Sequence, residues 1–525
     1  MFLILVFGAA AHAGCEALEP YLLSLDSEQG CLTVTLHALD EVARREGATE
    51  CLAEELAFRG LPAQTEPPPR IPPPLPDVKL TRDPYNLYHS VESDNFVIRW
   101  GDGINESAAT RMLDAFEEAW NKEIVQYGYP QPRFTETYKM NVYVGDSDPN
   151  APQIYSAPAY QTNDSEGVPM IVMSPWLIDY DAGHITAAHE FFHAVQFAIG
   201  TYSYTGSGAW YFEATAQWME QIVYAGDLDW TSVVFGLAYI PHRSLDYFVS
   251  ATDSEWEVEN YHQYAAAIWV KYLSDEVADV PFIKDTWTET GTSNDPLAVT
   301  YDLLAERYGL DGYTVFFDFA ARNAVWDYQE QAAIVEGLED HQDDYIDQRV
   351  SRVVLGKTDG MVNGNAAVTP ERYGTNYIEI TDLEGDDLHL VFEGTGAGDQ
   401  GSEPQWNVDF VFGRGLHGAY TRVDMPDKRT ADVWLEGLAD PDTEPLWMVV
   451  SVVSDDRVPR ETFSYQFSLE TDYVVVDDDD DDPDPIADLG DVDFEEGRCA
   501  SAPAPVGVGA GLFAFALAFL RRRSC

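Results

Sequence analysis

The run Ala188-His189-Glu190-Phe191-Phe192-His193-Ala194 sets two histidines and a glutamate in an H-E-x-x-H pattern inside an apolar stretch. On an α-helix, residues four apart lie one turn above each other on one face, so His189 and His193 can aim both imidazoles at one point. Ala187, Ala188, Phe191, Phe192, Val195, Phe197 and Ile199 surround them, which predicts a buried helix. Two imidazoles and a carboxylate inside a domain are costly to desolvate unless a metal and a water satisfy them. This ligand set favours Zn²⁺, and Glu190 stands where a general base could take a proton from a zinc-activated water.

A catalytic zinc keeps three protein ligands and leaves a fourth position open. The metzincin continuation would need a glycine and a histidine where this chain has Gln196 and Ile199. The next helix-like segment is Ala209–Glu220, reached through a Gly/Ser/Thr/Tyr-rich loop, Gly200–Gly208, long enough to reverse the chain. Glu213 follows His193 by 20 positions, on a helix that can face the first one across a metal. With these residues the chain resembles the gluzincin (thermolysin-like) metallopeptidases, over roughly residues 90–330 and specifically around the two helices. The resemblance implies one catalytic Zn²⁺ on His189, His193 and Glu213, with Glu190 as base and proton shuttle. It also implies a peptide or protein substrate. The chain departs from the thermolysin-like pattern at Gln217, where that group often carries an acid that orients a zinc histidine. Glu220, seven residues after Glu213 on the same stripe, is the alternative acceptor behind a histidine or an alternative ligand.

Such an enzyme also needs a donor for the oxyanion that develops on the attacked carbonyl. Tyr264 is the first choice and His262 the second, because Tyr261-His262-Gln263-Tyr264 opens an apolar helical segment running to Leu273. Tyr202, Tyr204 and Tyr211, between the ligand-bearing segments, are further choices.

The elements that must position these groups read as an α+β fold. Asn95–Trp100, Met140–Val144 and Val168–Ser174 are strand-like, and Glu106–Tyr127 is an amphipathic helix with Ala109, Met112, Leu113, Phe116 and Trp120 inward. This order predicts a zincin-like catalytic domain with a β-rich N-terminal subdomain, the third strand being the edge for an extended substrate. A helical C-terminal subdomain follows from Trp210 to about Val353, including Pro296–Tyr308 and Tyr313–Val325. Short alternating runs between Tyr373 and Tyr473, such as 377–380, 388–392 and 447–453, then predict a β-sandwich accessory domain.

The expected organisation is a signal peptide at 1–13, a small helical or pro-like segment at 14–62 and a Pro-rich linker at 63–80. The catalytic domain spans 81–355, the sandwich 356–473 and an acidic linker 474–497. The tail 498–525, with Cys499, a small-residue apolar stretch and Arg521-Arg522-Arg523, resembles the MYXO-CTERM sorting signal of myxobacterial and related secreted proteins. These features imply an exported or surface-anchored protein that meets a membrane only through that tail. The net charge of −61 argues against nucleic acid and anionic membrane surfaces as partners. Cysteines occur only at positions 15, 31, 51, 499 and 525, without zinc-finger spacing, and Cys31–Cys51 is the expected disulfide, with Cys15 competing for either partner. Asp477–Asp482 offers oxygen ligands to Ca²⁺ but lacks the ordered glycine and glutamate positions of an EF-hand loop, so calcium has no motif behind it. The competing functional class is a surface adhesin on an inactive zincin scaffold, favoured by Gln217 and disfavoured by the retention of Glu190.

Overall fold

The computed structural model describes residues 15–25, 32–59, 61, 78–154, 157–180, 182–249, 257–289, 293–341, 353–355, 361–363, 369–380, 387–412, 418–438 and 446–471. The expected signal peptide, residues 63–77 of the Pro-rich linker, the acidic linker and the C-terminal tail, with Cys31, Cys499 and Cys525, lie outside these residues. No described helix is long and apolar enough to cross a membrane.

The architecture is α+β. Strands β1 (His89–Glu92), β2 (Phe96–Trp100), β3 (Met140–Val144), β4 (Ala159–Asn163) and β5 (Pro169–Met173) form one sheet in the order β1-β2-β3-β5-β4. β2, β3 and β5 run parallel, while β1 and β4 pair antiparallel at the two edges. Side chains alternate across a strand, and here both faces are covered. Ile98, Met140, Val142, Val144, Ile171 and Met173 pack on one face with Phe116, Phe191 and Phe192 from the helices Glu106–Trp120 and Gly183–Ile199. Tyr143, Tyr160, Met170 and Val172 pack on the other with Leu36, Leu39, Val42, Leu52 and Leu56 of two N-terminal helices, Leu32–Glu46 and Thr49–Phe58.

Two expectations are corrected here. The strand preceding the H-E-x-x-H helix, β5, is internal, and the edge is β4, whose residues Ala159-Tyr160-Gln161-Thr162-Asn163 carry too little apolar pattern to announce a strand. Among the described residues the disulfide is Cys15–Cys51, with Cα atoms 6.0 Å apart, so the competing cysteine is the one bonded. The first amphipathic helix ends as α-helix at Trp120 and continues as a π-helical turn over Asn121–Gln126.

The helical half includes Ala209–Val223, His262–Ala265, Ala267–Tyr272, Pro296–Tyr308 and Gly312–Asn323. Two sheets follow, built from β6 (Val353–Leu355), β7 (Met361–Asn363), β8 (Thr375–Ile380), β9 (Leu388–Gly394), β10 (Pro404–Phe412), β11 (Ala419–Arg422), β12 (Thr430–Leu435), β13 (Leu446–Ser454) and β14 (Tyr465–Thr471). Their orders are β11-β10-β13-β8-β6 and β12-β9-β14-β7. Val353–Leu355, read from sequence as the end of the catalytic domain, pairs with β8 inside this β-rich region. Val408, Phe410, Met448 and Val450 face inward against Leu390, Phe392 and Phe467 of the second sheet. The intervening Val411, Trp447 and Val449 face outward and pack on Ala320, Ala321 and Ala324, which ties the sandwich to the helical half.

Candidate metal centre

The helix Gly183–Ile199 is apolar on nearly every side and stops at Gly200, whose φ of +65° is the left-handed conformation that glycine adopts without a Cβ penalty. The following turn sends the chain back as the helix Ala209–Val223, almost wholly buried against the first. This antiparallel pair brings His189, His193 and Glu213 together, with one ligand atom from each lying within 4.8 Å of the others. Their relative exposures are 8 %, 1 % and 0 %, so water cannot solvate them as it would on a surface.

The imidazoles are held from behind. His189 Nδ1 lies 2.8 Å from Glu220 Oε1, and the other Glu220 oxygen accepts from Gln217 Nε2 at 2.5 Å. His193 Nδ1 lies 2.7 Å from Gln196 Oε1. Gln196 Nε2 donates to the Phe212 carbonyl and to Thr215 Oγ1, both at 2.9 Å, which fixes the amide with its oxygen toward His193. Acceptors therefore face both Nδ1 atoms, so a neutral ring at either position carries its proton there and presents the Nε2 lone pair forward.

Forward of both rings lies Glu213. His189 Nε2 is 3.3 Å from Glu213 Oε2 and His193 Nε2 is 3.5 Å from Glu213 Oε1. Neither approach has hydrogen-bond geometry, since His193 Nε2 and both Glu213 oxygens are buried without a hydrogen-bond partner. Buried polar atoms are almost always paired. Four lone-pair atoms that converge without bonding one another fit a cation between them, and the His₂Glu set is of the kind that holds zinc.

These groups also act strongly on one another's charge. For Glu213 burial opposes the charge, but His193 and His189 outweigh it and hold the carboxyl far below its ordinary range. Burial likewise opposes a charge on His189, and Glu213 and Glu220 more than offset it. Glu220 is pushed up to about 7, chiefly by burial. Burial also raises Glu190, against the pull of His193 and His189. Glu190 is 6 % exposed and accepts a hydrogen bond from Thr33 Oγ1 at 3.2 Å.

Of the expected oxyanion donors, Tyr264 lies by the cluster, with its ring centroid 6.3 Å from that of His189. His262 is surrounded instead by Tyr247, at 5.5 Å between rings, Arg243 and His242, and burial holds its pKa down to about 3. Tyr202 donates to the Thr286 carbonyl and the Tyr211 hydroxyl bonds Thr286 Oγ1 at 2.8 Å, so both hydroxyls are engaged elsewhere. Tyr204 stacks on His37 and Phe212.

Sequence reasoning did not assign roles to Gln196, Thr33 or Gln161. Gln196 stands three residues after His193 on one helix, a spacing at which side chains meet, and that was the available signal. Glu220 is an acceptor behind a histidine rather than a member of the ligand cluster, and Gln217 supports it.

No curated protein matches the sequence. Among solved structures, a family GH115 4-O-methyl-α-glucuronidase with specificity for decorated arabinogalactans is similar at 11 % identity and a TM-score of 0.14. The match covers 58 % of this chain and 46 % of that one, so the chain spans about half the length of the solved structure it matches. A likeness this slight carries no argument about fold or activity. Residues 73–470 match the model of a family of unknown function, DUF6055, and the chain belongs to that family.

Proposed function

We propose that the chain is an exported zinc metallopeptidase of gluzincin type, with Glu190 as general base. The observation that carries this reading is the convergence of His189, His193 and Glu213, all buried, on one point where His193 Nε2 and both Glu213 oxygens have no hydrogen-bond partner. A zinc ion held there supplies Lewis-acid polarisation of a carbonyl and acidification of a water. Glu190, adjacent in sequence to one ligand, takes the proton of the attacking water and hands it to the leaving amine. Glu220 and Gln196 hold the histidines in the tautomer that presents Nε2. Tyr264, whose ring lies by that of His189, is the residue assigned as donor to the developing oxyanion. The Cys15–Cys51 disulfide accords with an oxidising compartment, as do the export signals read from sequence.

The test is Glu190→Gln in the zinc-loaded chain, assayed on a denatured protein mixture and by metal analysis. Hydrolysis is expected to fall by about 10³-fold while bound zinc stays at one per chain. Undiminished cleavage by the variant would refute the assignment. Bound zinc with no cleavage by the parent on any substrate would favour a binding protein on the same scaffold.

A further inference from the structure

An edge strand beside a peptidase centre is where an extended substrate adds its backbone. Here that strand, β4, is buried along its whole length although among the described residues no strand pairs beyond it. What covers it is the helix Leu32–Glu46. Thr33 Oγ1 accepts from the Gln161 backbone N–H at 2.9 Å and donates to Glu190 Oε2 at 3.2 Å, so one side chain engages both the strand edge and the general base. One turn on, His37 bonds Gln161 Oε1 at 2.8 Å. Its ring lies stacked between Phe197 and Tyr204, at 4.6 and 4.7 Å. Another turn on, Glu41 accepts from Ser203 Oγ at 2.7 Å and from the Tyr204 backbone N–H at 3.1 Å, on the loop between the two ligand-bearing helices.

Resting on the peptidase reading, we infer that residues 15–61 are an intramolecular inhibitor and that this structure is the latent form. The helix Leu32–Glu46 occupies the groove where substrate would lie. Three further observations support this. The general base is 6 % exposed, which leaves a peptide no approach to it. The family match begins at residue 73, so the covering helix lies outside the matched residues. The N-terminal unit also has its own brace, Cys15–Cys51, and its own apolar anchor of Leu36, Leu39 and Val42 on the far face of the sheet, which holds the helix over the groove. A substrate that displaced it would meet the same groups: the Gln161 N–H and the slot between Phe197 and Tyr204.

The experiment uses the full chain loaded with Co²⁺, whose visible spectrum reports access of acetohydroxamate to the metal. The parent is compared with Thr33→Glu, which sets a carboxylate against Glu190. A second form carries an introduced protease site between residues 61 and 78 and is cut there. It guards against misfolding of the variant. In both altered forms acetohydroxamate is expected to bind at least about tenfold more tightly than in the parent, and hydrolysis of a quenched peptide to rise in parallel. Equal hydroxamate affinity and equal turnover in all three would overturn latency, as would weaker binding in the altered forms, which would make Thr33 a support of the working site. Tighter hydroxamate binding with no hydrolysis anywhere would uphold the blocked groove and sink the peptidase reading. A parent that takes up no cobalt would sink the metal reading and this inference with it.

Discussion

Glu220 offers the sharpest test of how the metal ligands are held. Its Oε1 lies 2.8 Å from His189 Nδ1, while its second oxygen is tied to Gln217. Glu220→Gln keeps the shape and an acceptor for the imidazole but removes the charge that strengthens the bond. Glu220→Ala removes the acceptor and leaves a buried Nδ1–H without a partner. Groups that orient a metal-bound histidine in this way typically change metal affinity 10- to 100-fold. The glutamine variant is therefore expected to bind zinc about 10-fold more weakly, and the alanine variant about 100-fold, or about 1.4 and 2.7 kcal/mol. Competition with a chromophoric chelator at neutral pH measures both. Thermal unfolding of the metal-free proteins separates the effect from general damage: Glu220→Gln removes a carboxyl whose pKa burial has pushed up to about 7, so apo stability should hold or rise. Affinities of both variants within twofold of the parent would refute the role given to Glu220. An affinity loss accompanied by an equal loss of apo stability would reduce Glu220 to a packing residue.

Two other outcomes can be stated. His37 is held down to about 4, chiefly by burial, with the Gln161 hydrogen bond opposing and His193 and Arg44 assisting. The unfolded or undocked residue titrates near 6.5, so that state takes up the proton first as pH falls. Docking of the helix Leu32–Glu46 should therefore weaken from about pH 6.5 down to about pH 4, by up to about 3 kcal/mol. Amide exchange across that helix at pH 7 and 4.5 would show it, and His37→Phe, which keeps the ring stack, should lose less protection. At Gly394 an added Cβ would come 2.2 Å from Trp406 Nε1, so Gly394→Ala should destabilise the sandwich by about 1–3 kcal/mol in denaturant unfolding, with zinc affinity unchanged.

The His-His-Glu cluster was legible because the information is local. His189 and His193 share a helix at a spacing set by helix geometry, and the apolar residues between them mark the helix as buried. Glu213 was reachable because one loop and one helix separate it from them. Strands β2, β3 and β5 were legible as apolar runs, with β3 at Met140–Val144 as read. β4 was not, since its polar residues are buried by what packs over them rather than by their own pattern. The expected oxyanion donors divide in the same way: Tyr264 and His262 share one short helix, yet only the packing of that helix turns one ring toward His189 and the other toward Tyr247.

The sequence by itself determined the chemistry at the centre: which atoms could bind a divalent metal, which carboxylate could act as base, and that both would be buried on paired helices. Helix periodicity encodes those facts within a few tens of residues. Only the tertiary structure decided that Glu220 rather than Gln217 bonds His189, that β4 is the edge, and that Cys15 bonds Cys51. It alone brought Thr33 against Glu190, 157 residues away. Contacts so distant in the chain leave no periodic trace, because they are set by the packing of whole elements and not by the rise and twist of any one of them.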